Sequence, residues 1–323
     1  MAKRPIIIDT DAGNGFAHAA MLISGCGLFD VKGICTVSGS VSAVQAASCC
    51  AWLEKITGLE APVVAGSDKA LIVRRDGSCR SDSGGIMEKL MGPVQVPASA
   101  EHPWDLIYRT AVESEGELEL FCTGPLTNIA TAVLRHRNLP QYIKRVTIAA
   151  GSSRAGDSTV YAEFNVYSDP HAFKCVLDAG FRRVDLVDLE FARTVCLDAQ
   201  TSVRFHDLPE SNPWKPFLEE ADRERVRKLG DPAYIKREGN SGELRLHDAA
   251  AAFVLAIPAA VTSSDVYTMV ELRSEMNSGR TLFDFRKRFT DDPNVKLAVY
   301  TSREMFTDFY MRCVHAFDRR AVS

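Results

Sequence analysis

A short run of isoleucines that ends in carboxylates constrains the fold of this chain more than any other stretch of it. Ile6 to Ile8 lie together, Asp9 follows directly, and Asp11 comes two residues later. An unbroken run of β-branched residues is typical of a strand that is buried on both faces of a parallel sheet. Open α/β sheets place their ligand crevice at the carboxyl ends of such strands. The run therefore predicts a first strand whose end carries a functional site.

Further short apolar segments alternate with spans long enough to form helices. The strand-like segments are Ile6 to Ile8, Val31 to Val37, Leu118 to Cys122, Val146 to Ala150 and Val184 to Val187. The helical spans include Val44 to Ile56 and Asn128 to His136. This alternation predicts an α/β fold with a mostly parallel central sheet flanked by helices. The 323 residues suffice for one large core, so we expect a single domain over residues 1–323.

One segment, 207–244, differs from the rest of the chain in composition. It holds four prolines, many charges and the aromatic residues Trp214, Phe217 and Tyr234. Proline removes a backbone donor and interrupts regular structure, so this segment is a poor part of a central sheet. We predict a helical insertion or flap over the pocket. Trp214 and Tyr234 are candidates either to stack on a flat ligand or simply to pack.

Charge, hydropathy and cysteine usage exclude several classes of function. The net charge is −4 and the pI is near 6.0, whereas nucleic-acid binders usually show a strongly basic face. The most apolar later run, Ala249 to Val261, contains Pro258 and is too short to span a membrane. Nine cysteines lie scattered without a C-x-x-C pair, which indicates reduced thiols and no zinc or disulfide framework. We expect a cytoplasmic protein without nucleic-acid or membrane partners.

Five local clusters of polar residues stand where strands are predicted to end. They are Asp9-Thr-Asp11, Thr36-Val-Ser-Gly-Ser40, Cys122-Thr-Gly-Pro-Leu-Thr-Asn128, Ala162-Glu-Phe-Asn165 and Leu246-His-Asp248. Taken singly, each is also explained by helix capping or turn formation, which recruit the same residue types. Their functional interpretation depends on the set as a whole.

In order and spacing, these clusters resemble the inosine-uridine preferring nucleoside hydrolase family. Further matches are Asp169-Pro170, Ala65-Gly-Ser-Asp-Lys69, Gly279-Arg-Thr281 with Asp284, and Pro293-Asn-Val295. The resemblance covers essentially the whole chain. It implies a single α/β domain, a homodimer or homotetramer, and a nucleoside or ribose-like ligand from purine and pyrimidine salvage.

The resemblance also implies a calcium-dependent reaction. In that family calcium holds two ribose hydroxyls and a water, and a carboxylate takes the water's proton as the N-glycosidic bond breaks. By position, Asp11 and His247 match the catalytic residues, His247 lying near the leaving base. Asp11, Asp248 and the backbone carbonyl of Thr123 match the metal ligands.

A second group of residues matches the substrate-binding positions. Glu163 and Asn165 correspond to the pair that grips the ribose hydroxyls, and their side chains together accept and donate hydrogen bonds. Asp157 and Ser40 stand at positions where the family has asparagine. Asp157 close to Glu163 would add like charge to the pocket, which raises carboxyl pKa values unless a cation is near. Asp9 is interpreted as a positioning residue.

The departures from the family pattern are concentrated after the first strand. The family reads Asp-Thr-Asp-Pro-Gly-x-Asp-Asp-Ala where this chain reads Asp9-Thr-Asp-Ala-Gly-Asn-Gly-Phe-Ala17. Gly15 replaces a ribose-binding carboxylate, and Phe16 replaces one that ligates calcium through both oxygens. Asn14 and His18 are the nearest substitutes, but imidazole suits calcium poorly and a lone helical histidine usually packs. We expect calcium to bind weakly or not at all.

Several functions remain open from the sequence. The first is a nucleoside hydrolase homologue that has lost most or all hydrolysis and still binds a nucleoside. The second is an active N-ribohydrolase with a rebuilt site or another cation, and the third is a structural or regulatory subunit. Asp9-x-Asp11 after a strand also resembles the aspartyl phosphatases, but that class needs a downstream lysine and acidic pair for magnesium.

Overall fold

The computed structural model describes residues 2–73, 85–92, 99, 101–232, 242–289 and 292–318. Within these residues, eight strands form one sheet in the order β3-β2-β1-β4-β5-β6-β10-β7. The strands are β1 Arg4–Thr10, β2 Phe29–Thr36, β3 Val63–Ala65, β4 Leu118–Cys122, β5 Ile143–Ala149, β6 Val184–Val187, β7 Thr262–Val266 and β10 Val295–Tyr300. All neighbours are parallel except β7, which pairs antiparallel with β10. A separate antiparallel pair consists of β8 Thr268–Val270 and β9 Thr281–Phe283.

Helices cover both faces of this sheet. They are α1 Asn14–Gly25, α2 Ala43–Thr57, α3 Gly85–Leu90, α4 Pro103–Glu113, α5 Thr127–Arg135, α6 Phe164–Ser168, α7 Pro170–Leu177, α8 Leu189–Thr194, α9 Ala199–Val203, α10 Lys215–Leu229, α11 His247–Ala256 and α12 Arg303–His315. Short 3-10 helices lie at Leu139–Tyr142, Arg204–Asp207 and Pro258–Ala260. The predicted α/β fold with a mostly parallel sheet is confirmed.

The first strand shows how the sequence divides the core into two layers. Ile6 and Ile8 belong to one apolar cluster, which the side chains of α1, α2, α10, α11 and α12 complete. Ile7 belongs to a second cluster, formed with α4, α5 and α7. Side chains alternate along a strand, so a continuous run of isoleucines serves both layers at once. That is the reason a central parallel strand carries no polar face.

The helix α2 illustrates the local signals that set helix ends. Its first turn is capped by Ser42, whose Oγ accepts a hydrogen bond from the Gln45 N–H at 3.2 Å. Its end is set by Gly58, which has a φ of 68° and donates its N–H to the Glu54 carbonyl. A residue with a side chain would be strained in this left-handed conformation. The predicted span Val44 to Ile56 therefore differs from the observed helix by only one residue at each end.

The segment predicted as a flap is in part a component of the core. Helix α10 and the residue before it bury Trp214, Phe217 and Leu218 in the first apolar cluster, each at most 1% exposed. Trp214 therefore packs against protein side chains, and the suggestion that it stacks on a ligand is wrong. Tyr234 lies outside the described residues. That the segment covers a pocket stays a prediction.

Candidate functional site

Parallel strands bring the predicted site residues to one edge of the sheet. Strands β1, β2, β4 and β5 are neighbours and end at Thr10, Thr36, Cys122 and Ala149. The residues that follow these ends therefore share one edge, as expected for an open α/β sheet. The amino terminus of α11 adds two more polar side chains at the same edge. The site is thus assembled from segments far apart in sequence.

Asp11 is buried and held by the loop after β2. Its Oδ2 accepts hydrogen bonds from the Ser40 N–H at 2.7 Å and from the Ser40 Oγ at 2.9 Å. A Cβ on Gly39 would lie 2.4 Å from the same oxygen, so only glycine permits this approach. The structure thus places Ser40 as a residue that orients Asp11. Its predicted contact with a substrate stays a prediction.

Asp11 and Asp248 interact across the site. Burial raises the pKa of the Asp248 carboxyl well above its usual value, and the charge of Asp11 raises it further. Burial also raises the pKa of Asp11, although the hydrogen bonds from Ser40 oppose the shift. The backbone of Gly15 closes on this pair, because a Cβ there would lie 2.8 Å from Asp248 Oδ2. The glycine stands directly beside Asp248, one of the three predicted metal ligands.

Phe16 is fully buried in the first apolar cluster, with 1% of its surface exposed. The turn before it is also distinctive, since Ala12 has a φ of 50°. Proline is restricted to a φ near −65°, so the turn has a shape that the proline of the similar motif could not adopt. A non-glycine residue in this region costs about 1–2 kcal/mol. The departure from the family pattern thus changes the backbone as well as the side chains.

The two nearest substitute ligands are both committed elsewhere. The Oδ1 of Asn14 accepts a hydrogen bond from the Ile86 N–H at 3.1 Å, which turns the amide toward α3. His18 is 2% exposed, and its Nδ1 lies 2.6 Å from the hydroxyl of Tyr310. Its ring also packs edge-on against Phe217 at 5.0 Å. His18 is therefore a packing residue.

The burial of His18 predicts a specific dependence of stability on pH. Burial lowers its pKa from 6.5 to about 3, so between these values the unfolded chain binds a proton that the folded chain does not. The stability contributed by the neutral ring is present above pH 6.5 and is lost as the pH falls. We expect the free energy of unfolding of wild type, relative to His18→Gln, to fall by about 2 kcal/mol between about pH 6.5 and 4.5. Urea denaturation of both proteins measures this, and a difference independent of pH would refute it.

The donors at this edge do not fit a tight calcium site. Calcium takes six to eight oxygen ligands, several of them anionic. The described residues offer the carboxylates of Asp11 and Asp248 and the carbonyl of Thr123, which already accepts a hydrogen bond from Asn165 Nδ2 at 3.4 Å. In the described parts of the chain, no three His, Cys, Asp or Glu side chains are grouped as a metal site requires. Weak or absent calcium binding stays a prediction, which rests on the small number of oxygen donors at this edge.

Glu163 and Asn165 lie together beside the ends of β4 and β5. Glu163 caps α6, and its carboxylate accepts hydrogen bonds from the N–H groups of Gly151, Asn165 and Val166 at 2.9–3.1 Å. Burial raises the pKa of Glu163 to about 8, and the charge of Asp157 adds to this shift. The amide nitrogen of Asn165 donates to the carbonyl of Ala149 at 2.9 Å. Both side chains are therefore held rigidly, which is what a binding site needs.

His247 lies at the first position of α11, and its Nε2 is 2.7 Å from the carbonyl of Val187. A carbonyl cannot donate, so Nε2 carries a hydrogen and Nδ1 is the nitrogen that can accept one. Burial lowers the pKa of His247, while the carboxylates of Asp157 and Asp188 oppose the shift. To act as an acid toward a leaving base, His247 would have to carry a proton on Nδ1. The charge of Asp157 favours this protonation, and burial opposes it.

One contact at the candidate site was not identified from the sequence. Asn128 Nδ2 donates to Asp9 Oδ2 at 2.7 Å and to the Thr36 carbonyl at 3.0 Å. The other oxygen of Asp9 has no hydrogen-bond partner among the described residues, and burial raises the pKa of Asp9 to about 7. Asn128 follows a strand and a Gly-Pro turn, which predicted a helix cap. The contact with Asp9 depends on the pairing of β1 with β4, which the local sequence does not reveal.

Cavities border the described residues at two places, neither of them lined by Asp11 or Asp248. One of about 220 Å³ is lined by Asn14, Gly15, His18 and Leu246 among others, and so lies behind the first turn of α1. The other, of about 610 Å³, is at the amino ends of β6 and β10, opposite the candidate site. In the part of the chain that the structure describes, no helix is long and apolar enough to cross a membrane.

Comparison with known proteins finds similarity over nearly the whole chain. A sequence model of the family described as inosine-uridine preferring nucleoside hydrolase matches residues 6–308. The non-specific ribonucleoside hydrolase RihC of Escherichia coli (strain SMS-3-5 / SECEC) is 29% identical over 306 residues, which cover 92% of this chain and 93% of that protein. The pyrimidine-specific ribonucleoside hydrolase RihB of E. coli O17:K52:H18 is 25% identical, with 98% and 99% covered. A solved plant nucleoside hydrolase, PpNRh1, has the same fold, with a TM-score of 0.85, 21% identity, and 97% and 99% of the two chains covered.

Proposed function

Because the chain belongs to the inosine-uridine preferring nucleoside hydrolase family, we propose that it binds ribonucleosides at the carboxyl edge of its sheet and has lost most or all N-glycosidic hydrolysis. The observation that carries the proposal is the absence of a carboxylate at positions 15 and 16, where the family pattern has two. Gly15 has no side chain, and its backbone packs so closely against Asp248 that a Cβ would lie 2.8 Å from Oδ2. Phe16 directs a phenyl ring into the apolar core.

The electrostatics of the site support a loss of catalysis. A carboxylate that removes a proton from water must be ionised, and it is assisted when a nearby cation offsets its burial. Here burial raises the pKa of both Asp11 and Asp248, and the charge of Asp11 raises that of Asp248 further. The charge on either carboxyl is therefore disfavoured by its surroundings. Without a cation, nothing among the described residues offsets the burial of Asp11 except the hydrogen bonds from its neighbours.

The binding side of the site is better preserved. Glu163 and Asn165 are fixed by hydrogen bonds to the backbone, and a pre-ordered polar group loses little entropy when a ligand binds. Asp157 is exposed, and it interacts with His247 and Glu163 through its charge. A polyhydroxylated sugar is the type of ligand that such mixed donors and acceptors recognise. We therefore assign the ribose to Glu163, Asn165 and Asp157, with Ser40 supporting Asp11.

The alternative is an active N-ribohydrolase with a rebuilt site. It is favoured by one observation, namely that Asp11, Asp248 and the Thr123 carbonyl still meet at a single edge. Two carboxylates, one carbonyl, two ribose hydroxyls and a water would give a six-oxygen shell that forms only with substrate. This alternative requires calcium affinity to appear when the nucleoside is present.

Calorimetric titration with inosine and uridine, in the presence of a chelator, tests the binding function. We expect wild type to bind at least one of them, and Asn165→Ala to weaken that binding about 10-fold, because one hydrogen bond to the ligand is lost. The matched control is Asn138→Ala, which removes an amide that donates to the Tyr108 hydroxyl away from the site. Binding that is undetectable in wild type, or unchanged by Asn165→Ala, would contradict the proposal.

A further inference from the structure

The small β8–β9 pair contacts the loop that carries Asp157. This segment, the 151–162 loop, connects the end of β5 to Glu163. The Gly279-Arg-Thr281 motif matches the family pattern, but its function could not be assigned from the sequence. In the structure Arg280 and Thr281 contact the two ends of the 151–162 loop. The motif therefore lies where it can control the position of Asp157.

Thr281 holds the beginning of the loop. Its Oγ1 accepts a hydrogen bond from the Ser152 N–H at 2.9 Å and donates one to the Ser152 carbonyl at 2.7 Å. Thr281 is 5% exposed and Ser152 is 3% exposed, so water does not readily replace these bonds. The neighbouring Gly151 has a φ of 81°, and a Cβ there would lie 3.0 Å from the Thr281 methyl group. The N–H of Gly151 also donates to Glu163, so the threonine, the loop and the capping carboxylate form one connected unit.

Arg280 holds the end of the loop. Its backbone forms an antiparallel bridge with Ala162, directly before Glu163. Its guanidinium lies 4.4 Å from the ring centroid of Tyr161, at a distance typical of a cation–π contact. Gly279 allows the close approach of this segment, because a Cβ there would lie 2.9 Å from the Cα of Tyr167.

Asp157 lies between these two anchors. The loop turns back on itself through a hydrogen bond from the Gly156 N–H to the Val160 carbonyl at 3.1 Å. The carboxylate of Asp157 lies close to the N–H of Phe164 and to His247. It interacts with Glu163 as well. Its position therefore depends on where the two ends of the loop are fixed.

We infer that Thr281 and Arg280 are positioning residues of the nucleoside site, which fix the 151–162 loop so that Asp157 faces the ligand beside Glu163. The inference rests on the proposed binding function and extends it to a segment outside the pocket edge. Neither residue touches the ligand. Their effect on binding passes through Asp157.

The test compares Thr281→Val with Thr281→Ser in the full chain. Valine keeps the shape and loses both hydrogen bonds, whereas serine keeps the hydroxyl. Thr301→Val is the matched control, because it removes a buried hydroxyl that donates to the Ala260 carbonyl outside this loop. For each protein, hydrogen–deuterium exchange of residues 151–162 and the Kd for inosine are measured, alone and in an Asp157→Ala background.

We expect Thr281→Val to accelerate exchange in the loop and raise the Kd about 10-fold, since two buried backbone groups lose their partner. Thr281→Ser and Thr301→Val should match wild type in both measurements. In the Asp157→Ala background, Thr281→Val should change the Kd less than about 2-fold, because the residue through which it acts is gone. An equal increase in both backgrounds, or unchanged exchange in Thr281→Val, would overturn the inference. If wild type binds no nucleoside, the binding function fails, and the exchange measurement alone still decides whether Thr281 fixes the loop.

Discussion

Replacing Phe16 with aspartate is expected to lower the free energy of unfolding by about 4 kcal/mol or more. Removing a buried phenyl ring costs about 3–5 kcal/mol through lost burial and the cavity that remains. An unpaired carboxylate in the same place adds a desolvation cost. Phe16 is 1% exposed and lies in the larger apolar cluster. Urea denaturation at neutral pH measures the effect.

Phe16→Leu is the matched control for this substitution. It keeps an apolar side chain of similar volume and should cost no more than about 1.5 kcal/mol. If Phe16→Asp is as stable as Phe16→Leu, and calcium raises its stability further, then position 16 faces the pocket and the assignment of its side chain to the core is wrong. Adding Gly15→Asp would also require the Asp248 carboxylate to move, because the new Cβ lies 2.8 Å from Asp248 Oδ2.

The edge of the sheet at which the candidate site residues lie could be predicted from the sequence. Asp11 and Thr123 directly follow β-rich apolar segments, and the rule that parallel strands end at one edge brings them together. Asn165 reaches the same edge only after the 151–162 loop that follows β5. The same rule predicts nothing about which of them contact each other. Ser40 was expected in the substrate-binding set, and its bonds to Asp11 became visible only with the fold. The pairing of β1 with β2 decides that contact.

The direction of Phe16 and His18 could not be predicted for a different reason. Helix α1 is buried on all sides, because every residue from Phe16 to Ser24 is buried. A helix without a polar face has no hydrophobic periodicity that shows which side contacts the ligand. Docking against α11 and α12 sets its rotation, and through it the contact of His18 with Tyr310. The left-handed backbone conformation of Ala12 could not be predicted either, since alanine seldom adopts it.

The second large effect that we expect is a loss of nucleoside turnover relative to active hydrolases. A bound divalent ion that orients the sugar and activates water contributes several kcal/mol to such a reaction, and each 1.36 kcal/mol corresponds to a factor of ten in rate. Among the described residues, too few oxygen ligands accompany Asp11 and Asp248 to bind a divalent ion tightly. We therefore expect kcat/KM for inosine and uridine to be at least about 1,000-fold below that of E. coli RihC assayed in parallel.

The most direct test is a turnover assay of wild type with inosine, uridine and p-nitrophenyl riboside, with added calcium and with a chelator, beside Asp11→Ala. We expect release of base or nitrophenol near the background rate, unchanged by calcium, by the chelator or by Asp11→Ala. Hydrolysis at a rate comparable to RihC, abolished both by the chelator and by Asp11→Ala, would contradict this expectation and establish the rebuilt, active site instead.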